Sequence, residues 1–411
     1  MGRWNLKDWL WVLLCSAGIF ATVPVARDLQ IFAYNTAGKK LFTYMVVSVV
    51  AIGLALLLYS FIFRLKVKKV SQYVWLILCA GLYLYFTLKL KRHPEEAVHF
   101  LEYGILSYFL FRALSQKIRD ITVYLSAALF VLLVGTLDES LQWTIPRRVW
   151  SYKDIGLNLL AGGIFLIGIW KGIEPETICK PVRKKSVTIL TGMLMVNLLL
   201  IGLCLSNTPA SVNRYAGTIS ALSWLQNEEP MTEYGYRYRD PEIGILYSRF
   251  TLEELRNIDL INGESYGKIL PEGIDYEESK YKDFIKVYNQ QTNPFLYELA
   301  IHLSLRDNSF YDLNESDSRY SKTELANIAF RENLIAERYF GNTLRHSELV
   351  WPDQRVKELR EKASLRKEDY ISHAGSEIIT SFSLSAALTA IIAALILAWI
   401  SGWFWKGRLD A

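Results

Sequence analysis

The chain has 411 residues, 51% of them hydrophobic, with a mean hydropathy of +0.15 and a formal net charge of +5. So apolar a composition excludes an ordinary soluble globular protein. The charge is unevenly spread: residues 206–380 hold 21 Lys+Arg and 29 Asp+Glu, a net of −8, which leaves +13 on the remainder. That positive charge lies in short loops between apolar stretches, where a membrane protein needs it, and gives no ground for nucleic-acid binding.

In chain order, eight stretches approach the roughly 20 mostly apolar residues that cross a bilayer. They are 9–26, 41–63, 74–90, 97–114, 121–143, 152–170, 187–205 and 382–405. The first follows Arg3 and Lys7 like a signal peptide. Its end, Thr22-Val23-Pro24-Val25-Ala26, puts Pro where cleavage needs a small residue, so the helix is expected to be retained. Polar residues interrupt the fourth and sixth stretches. Lys and Arg set orientation. Arg64, Lys66, Lys68 and Lys69 fill the second loop, Lys117 and Arg119 the fourth, and Lys171, Lys180, Arg183, Lys184 and Lys185 the sixth. These even loops and both termini are expected to be cytoplasmic. The odd loops also carry bases, among them Lys39, Lys40, Lys91 and Arg92.

The long segment 206–380 then lies outside and is expected to be mainly helical. Thr251-x-x-Glu254 and Ser321-x-x-Glu324 resemble capping boxes. Phe284, Val287 and Tyr288, then Leu296, Leu299, Ala300 and Leu303, recur at helical spacing. Asn207-Thr208-Pro209 and Asn293-Pro294 punctuate the segment. The run Tyr234 to Arg239, alternating Tyr with Arg, reads as a short strand or a loop. His302, His346 and His373 have no catalytic spacing and read as packing or surface residues. Cys15, Cys79, Cys179 and Cys204 show no ligand spacing, and no metal or cofactor is expected.

The expected fold class is all-α: a polytopic membrane bundle of about eight spans, with a mainly helical extracytoplasmic domain inserted before the last. The expected divisions are 1–74, an N-terminal hairpin and basic loop; 75–170, a membrane core; 171–205, a basic loop and the seventh span; 206–380, the outer domain; and 381–411, a C-terminal anchor.

The membrane core carries the unusual chemistry. His99, Glu102 and Tyr103 share one face at the start of the fourth span, because residues three and four apart are helix neighbours. The fifth span ends with Asp138, Glu139 and Gln142. Arg147 and Arg148 follow, then Ser151 and Asp154, spaced as a capping box, and Asn158 on the face of Asp154. The orientation puts these three span ends on one side, and short loops make consecutive helices neighbours. All eleven residues are expected to converge in one outward-facing pocket. Ionisable groups within spans are costly and usually pair or mark function. Gly162, Gly163 and Gly168 read as sites of close helix packing, and Asn197 as a helix–helix hydrogen bond.

His99-Phe100-x-x-Tyr103, Asp138-Glu139-x-x-Gln142, Pro146-x-Arg148 and Ser151-x-x-Asp154-x-x-x-Asn158 with Gly162 together resemble the VanZ-like family pattern. The resemblance covers residues 75–170 and leaves 206–380 outside it. It implies an integral protein of a bacterial cytoplasmic membrane and an association with resistance to the glycopeptide teicoplanin, but carries no reaction with it. Expected partners are the bilayer, a lipid-linked precursor or anionic lipid at the pocket, and an envelope protein through 206–380. Two alternatives stand beside binding. One is a lipid hydrolase or transferase using His99, Glu139 and Asp154, with carboxylates as base or as ligands of a divalent cation. The other is a transporter.

Overall fold

The computed structural model describes residues 6–38, 40–90, 96–145, 150–178, 180–271, 278–313, 320–363 and 370–409. Arg147 and Arg148 lie outside the described residues. The chain divides into two compact units, Met1–Leu203 with Thr389–Ala411, and Cys204–Leu388.

Eight helices open the chain: α1 (Leu6–Thr22), α2 (Ala26–Ala37), α3 (Leu41–Arg64), α4 (Val70–Lys89), α5 (Val98–Ser115), α6 (Thr122–Trp143), α7 (Tyr152–Ile173) and α8 (Lys184–Ser206). The last turns of α3 and α7 widen to π-helix at Ser60–Arg64 and Gly168–Ile173. Helix α2 was not expected. Its sequence mixes Asp28, Gln30 and Asn35 with apolar residues and carries no span-like run.

Among the described residues six helices are long and apolar enough to cross a membrane: α3, α4, α6, α7, α8 and Leu384–Arg408. The expected first and fourth spans form α1 and α5 but are not among the six. Helix α1 has 17 residues, and α5 carries His99, Glu102 and Arg112. The reason for the polar content of α5 is its place. It packs against α1, α6 and α7, and Phe100, Tyr103, Leu106, Leu110 and Ala113 are completely buried. A helix enclosed by other helices meets protein rather than lipid and can hold polar groups. Burial confirms the layering: 61% of the apolar window of α6 is buried, against 11% for α3 and α8.

Long-range polar bonds tie this unit together. Asp8 of α1, buried, receives Arg112 Nη2 at 2.8 Å and the Gln116 amide. Asp120 caps α6 through the Thr122 amide and hydroxyl, and its second oxygen accepts the Ser186 hydroxyl of α8 at 2.7 Å. Asn197 donates to the Leu129 carbonyl of α6 at 3.0 Å, the helix–helix bond its isolation suggests. Gly162 permits close packing, because a Cβ there would lie 2.6 Å from Ser107 Oγ and 2.9 Å from Val131. Gly163 does not, since nothing lies within 4 Å.

The second unit contains α9 (Pro209–Thr218), a 3-10 segment (Ser220–Asn227), β1 (Tyr236–Asp240), β2 (Gly244–Ser248), α10 (Leu252–Gly267), α11 (Glu278–Val287), α12 (Pro294–Asp312), α13 (Lys322–Tyr339), α14 (Gly341–Arg345) and α15 (Asp353–Ala363). The chain then returns to the first unit as α16 (Leu384–Arg408). Thr208 and Asn293 cap α9 and α12 with Pro at the first turn, and Thr251 with Glu254 makes a complete capping box. Leu296, Leu299, Ala300 and Leu303 are completely buried in the α12 core. Val287, placed with them by its spacing, is 61% exposed. The Tyr/Arg run is a strand: β1 pairs antiparallel with β2, Arg237 opposite Tyr247. Asp240 accepts the amides of Glu242 and Ile243, and Gly244, at φ +109°, completes the turn.

Candidate functional site

The N-terminal ends of α5 and α7 meet the C-terminal end of α6. Tyr103 donates to Asp138 Oδ2 at 3.1 Å, across from α5 to α6. On α6, Gln142 Nε2 bridges both acids, lying 2.9 Å from Glu139 Oε1 and 3.4 Å from Asp138 Oδ2. The other Glu139 oxygen accepts the Ser151 backbone N–H at 3.2 Å. Ser151 in turn caps α7, its hydroxyl accepting from the Asp154 amide at 3.3 Å. A carboxylate held at a helix start is favoured by the free amides and the dipole there.

His99 Nδ1 lies 3.3 Å from Glu102 Oε2, one turn on, and its ring centroid is 6.2 Å from that of Tyr103. His99 and Glu102 flank Tyr103, which bonds Asp138, and Glu139 bonds the Ser151 cap of Asp154, so the three helices present their charged groups at one end of the bundle. Asp138 and Glu139 are 1% and 0% exposed, and Asn158 is 0% exposed.

The three helices therefore bring together nine of the eleven residues: His99, Glu102, Tyr103, Asp138, Glu139, Gln142, Ser151, Asp154 and Asn158. Arg147 and Arg148 are outside the described residues. Two contributors were missed. Gly135 clears space for Asn158, since a Cβ there would lie 3.3 Å from Asn158 Cβ and 3.7 Å from the Tyr103 ring. Trp150, just before the cap, has a buried indole nitrogen. Its signal was an aromatic residue directly ahead of a helix start.

The cluster is incompletely satisfied. Asp138 Oδ1, both amide atoms of Asn158 and the Trp150 indole nitrogen are buried with no hydrogen-bond partner among the described residues. Such atoms are rare in native proteins, because each costs about 1–3 kcal/mol. They offer acceptors at Asp138 and Asn158 and donors at Asn158 and Trp150, a set able to hold a polar group of mixed character. Among the described residues no three His, Cys, Asp or Glu side chains are arranged to hold a metal ion.

The second unit holds buried polar groups of a different kind. Glu332, fully buried, accepts Tyr370 Oη at 2.5 Å and Ser372 Oγ at 2.6 Å on one oxygen, and meets His302 Nδ1 at 2.6 Å with the other. His302 is thus a packing residue, although its Nε2 has no partner among the described residues. Arg249 is gripped by Glu233 at 2.6 and 2.8 Å and approaches Glu298 at 3.4 Å. Burial pushes its guanidinium pKa down, but the two carboxylates outweigh that and hold it above the ordinary value.

Comparison of the chain with family models, curated proteins and solved structures returned no match.

Proposed function

We propose that the chain is a VanZ-like multi-pass protein of a bacterial cytoplasmic membrane, and that the cluster at the ends of α5, α6 and α7 binds the polar head group of an envelope lipid or lipid-linked cell-wall precursor. In this reading α1 and α5 join the six apolar helices as spans. Both termini are cytoplasmic, the cluster faces outward, and 206–380 is an extracytoplasmic domain available to another envelope protein. The Lys and Arg of the even-numbered loops support the orientation. Arg147 and Arg148, by their place between α6 and α7, would meet phosphate oxygens, which a guanidinium fork suits. The link to teicoplanin resistance rests on the resemblance alone.

One observation carries the reading. Asp138 Oδ1 and the whole Asn158 amide are buried, polar and unpartnered among the described residues, beside a second carboxylate. The structural acids Glu332, Asp259 and Asp307, by contrast, leave no carboxylate oxygen unpartnered.

The test is retention of ligand. Wild type, Asp138→Asn and Asn158→Ala would be purified in mild detergent and their bound lipids identified by mass spectrometry. Wild type is expected to retain one class of envelope lipid or precursor beyond its share of the membrane, and both variants to lose it. Identical lipid profiles in all three proteins would sink the proposal.

A further inference from the structure

On the other side of α5 the same bundle contains an apolar crevice of about 240 Å³. It lies between α3, α4, α5 and α7, and the Cys79 sulfur and Tyr83 hydroxyl are the only side-chain heteroatoms lining it. Along α3 it runs from Val49 to Leu57, which at 1.5 Å per residue is about 12 Å, close to one leaflet's half of the ~30 Å hydrocarbon core. Of its lining residues, Val49 and Leu57 on the span-like helix α3 and Ile105 on the outer side of α5 are each more than one-third exposed.

Protein interiors are close-packed, so this space has to be built. Small residues line it, Gly53 on α3, Ala80 on α4 and Gly168 on α7, whereas Gly104 on α5 sits tight against the Tyr83 hydroxyl. Small residues between helices ordinarily let backbones approach. Gly162, facing Ser107 and Val131, does that. At Gly53 nothing lies within 4 Å of an added Cβ, so the missing side chain leaves open volume rather than a tight contact.

The crevice is joined to the polar cluster through Tyr83. Its hydroxyl points at the Ala161 carbonyl of α7 at 2.8 Å and the Phe100 carbonyl of α5 at 3.2 Å. Asn158 precedes Ala161 by three residues and Tyr103 follows Phe100 by three, each about one helical turn away. The head of the crevice thus sits one turn from the unpartnered amide of Asn158 on α7, and one turn from Tyr103 on α5, whose hydroxyl donates to Asp138 of α6.

We infer that the crevice between α3, α4, α5 and α7 holds an acyl chain of the molecule whose head group occupies the polar cluster. The inference rests on the head-group reading and narrows it: the ligand is a membrane-borne amphiphile, not a water-soluble fragment of a cell-wall precursor. The apolar walls take the chain by removing it from competing bilayer contacts only when the head group is held as well. Binding is therefore bidentate, and shortening either part weakens it.

The experiment uses the full chain in nanodiscs made from bacterial phospholipid, doped with a diacyl phospholipid carrying a diazirine on one acyl chain. After photolysis, adducts are mapped by peptide mass spectrometry. Adducts are expected to concentrate on the crevice segments of α3, α4 and α5, several-fold above the equally exposed, apolar face of α16 at Ile396 and Trp399. Gly53→Phe should reduce crevice labelling several-fold and release the co-purified lipid. Gly18→Phe, at another glycine with open space, should do neither. Equal labelling of the crevice and α16 in wild type overturns the inference, and that measurement stands even where Gly53→Phe fails to fold. The two readings fail separately. Loss of lipid on Asn158→Ala but not on Gly53→Phe keeps the head-group site and rejects the crevice. Loss on Gly53→Phe but not on Asn158→Ala keeps the crevice and rejects the head-group site.

Discussion

Both units of the chain bury carboxylates; Asp8 and Asp120 of the membrane unit are bonded at both oxygens, and the cluster around Asp138 is treated differently. In the second unit Glu332, Asp259 and Asp307 have both carboxylate oxygens occupied. Glu332 takes two hydroxyls and an imidazole. Asp259 takes the Asn342 and Thr343 amides and the Thr343 hydroxyl. Asp307 takes Arg306 and the Tyr281 hydroxyl. In the membrane unit Asp138 leaves Oδ1 without a partner among the described residues, and Asn158 beside it leaves both amide atoms. The first arrangement joins distant segments and defines a fold. The second leaves buried polar atoms without a partner among the described residues, and on the proposed reading an incoming polar group relieves that cost.

The comparison is broken most directly at Glu332. Glu332→Ala leaves two hydroxyls and an imidazole without their acceptor in a dry core, and a loss of about 3–5 kcal/mol is expected. Thermal unfolding of the full chain, read by protease cleavage between residues 204 and 388, checks it. A loss below about 1 kcal/mol would mean that satisfied and unsatisfied clusters cannot be told apart by their bonding. Packing comes next in size. Gly162→Val places methyls against Ser107 and Val131, where overpacking costs about 1–3 kcal/mol. Gly163→Ala, in open space on the same helix, should stay within about 0.5 kcal/mol. Equal effects at the two glycines would show that α5, α6 and α7 do not meet at Gly162.

How far these features could be read beforehand follows the range of the interactions. Local spacing predicted the apolar runs of α3, α4, α6, α8 and α16, the caps at Thr251 and Ser321, and the shared faces of Asp138, Glu139 and Gln142, while Thr208 and Asn293, read only as punctuation, are helix caps. Short loops between antiparallel helices then sufficed to bring His99, Asp138 and Asp154 to one end. Pairs far apart left no such trace. Glu332 and His302 are 30 residues apart, and Glu332 and Ser372 are 40. The Asp8–Arg112 bond spans 104 residues, and nothing in the local sequence ties Arg112 of α5 to α1. The Gly53 crevice was invisible for a related reason: a glycine reads as tight packing until the opposite wall is known.

A smaller effect sharpens the contrast from the exposed side. Burial pushes the Asp240 carboxyl up, but the Arg338 guanidinium at 2.5 Å and the Ile243 and Glu242 amides together hold it below its ordinary value. Its stabilisation is therefore fully present above the unfolded value of about 3.9 and lost as pH falls through the lower folded value. Arg338→Met should cost about 0.2–1 kcal/mol near pH 7, since the arginine is partly exposed, and the gap from wild type should close toward pH 2–3. A gap that widens in acid would reverse the assignment.

The smallest change in stability is expected at Asp138, and it is the most informative. Asp138→Asn keeps an acceptor for Tyr103 and removes a charge buried with one oxygen unpartnered. Relief of that desolvation should offset the weakened hydrogen bonds, so the apo melting temperature stays level or rises. A structural acid would behave like Glu332 and fall by several kcal/mol. The two cases also part on titration with extracted envelope lipid. Binding raises stability as RT ln(1 + [L]/Kd), so wild type should climb with lipid while Asp138→Asn stays flat. A variant that starts no lower than wild type but does not follow it upward has lost a ligand contact and kept its fold. One that starts lower and rises in parallel has lost part of the scaffold, and the polar cluster then belongs with the satisfied core of the other unit.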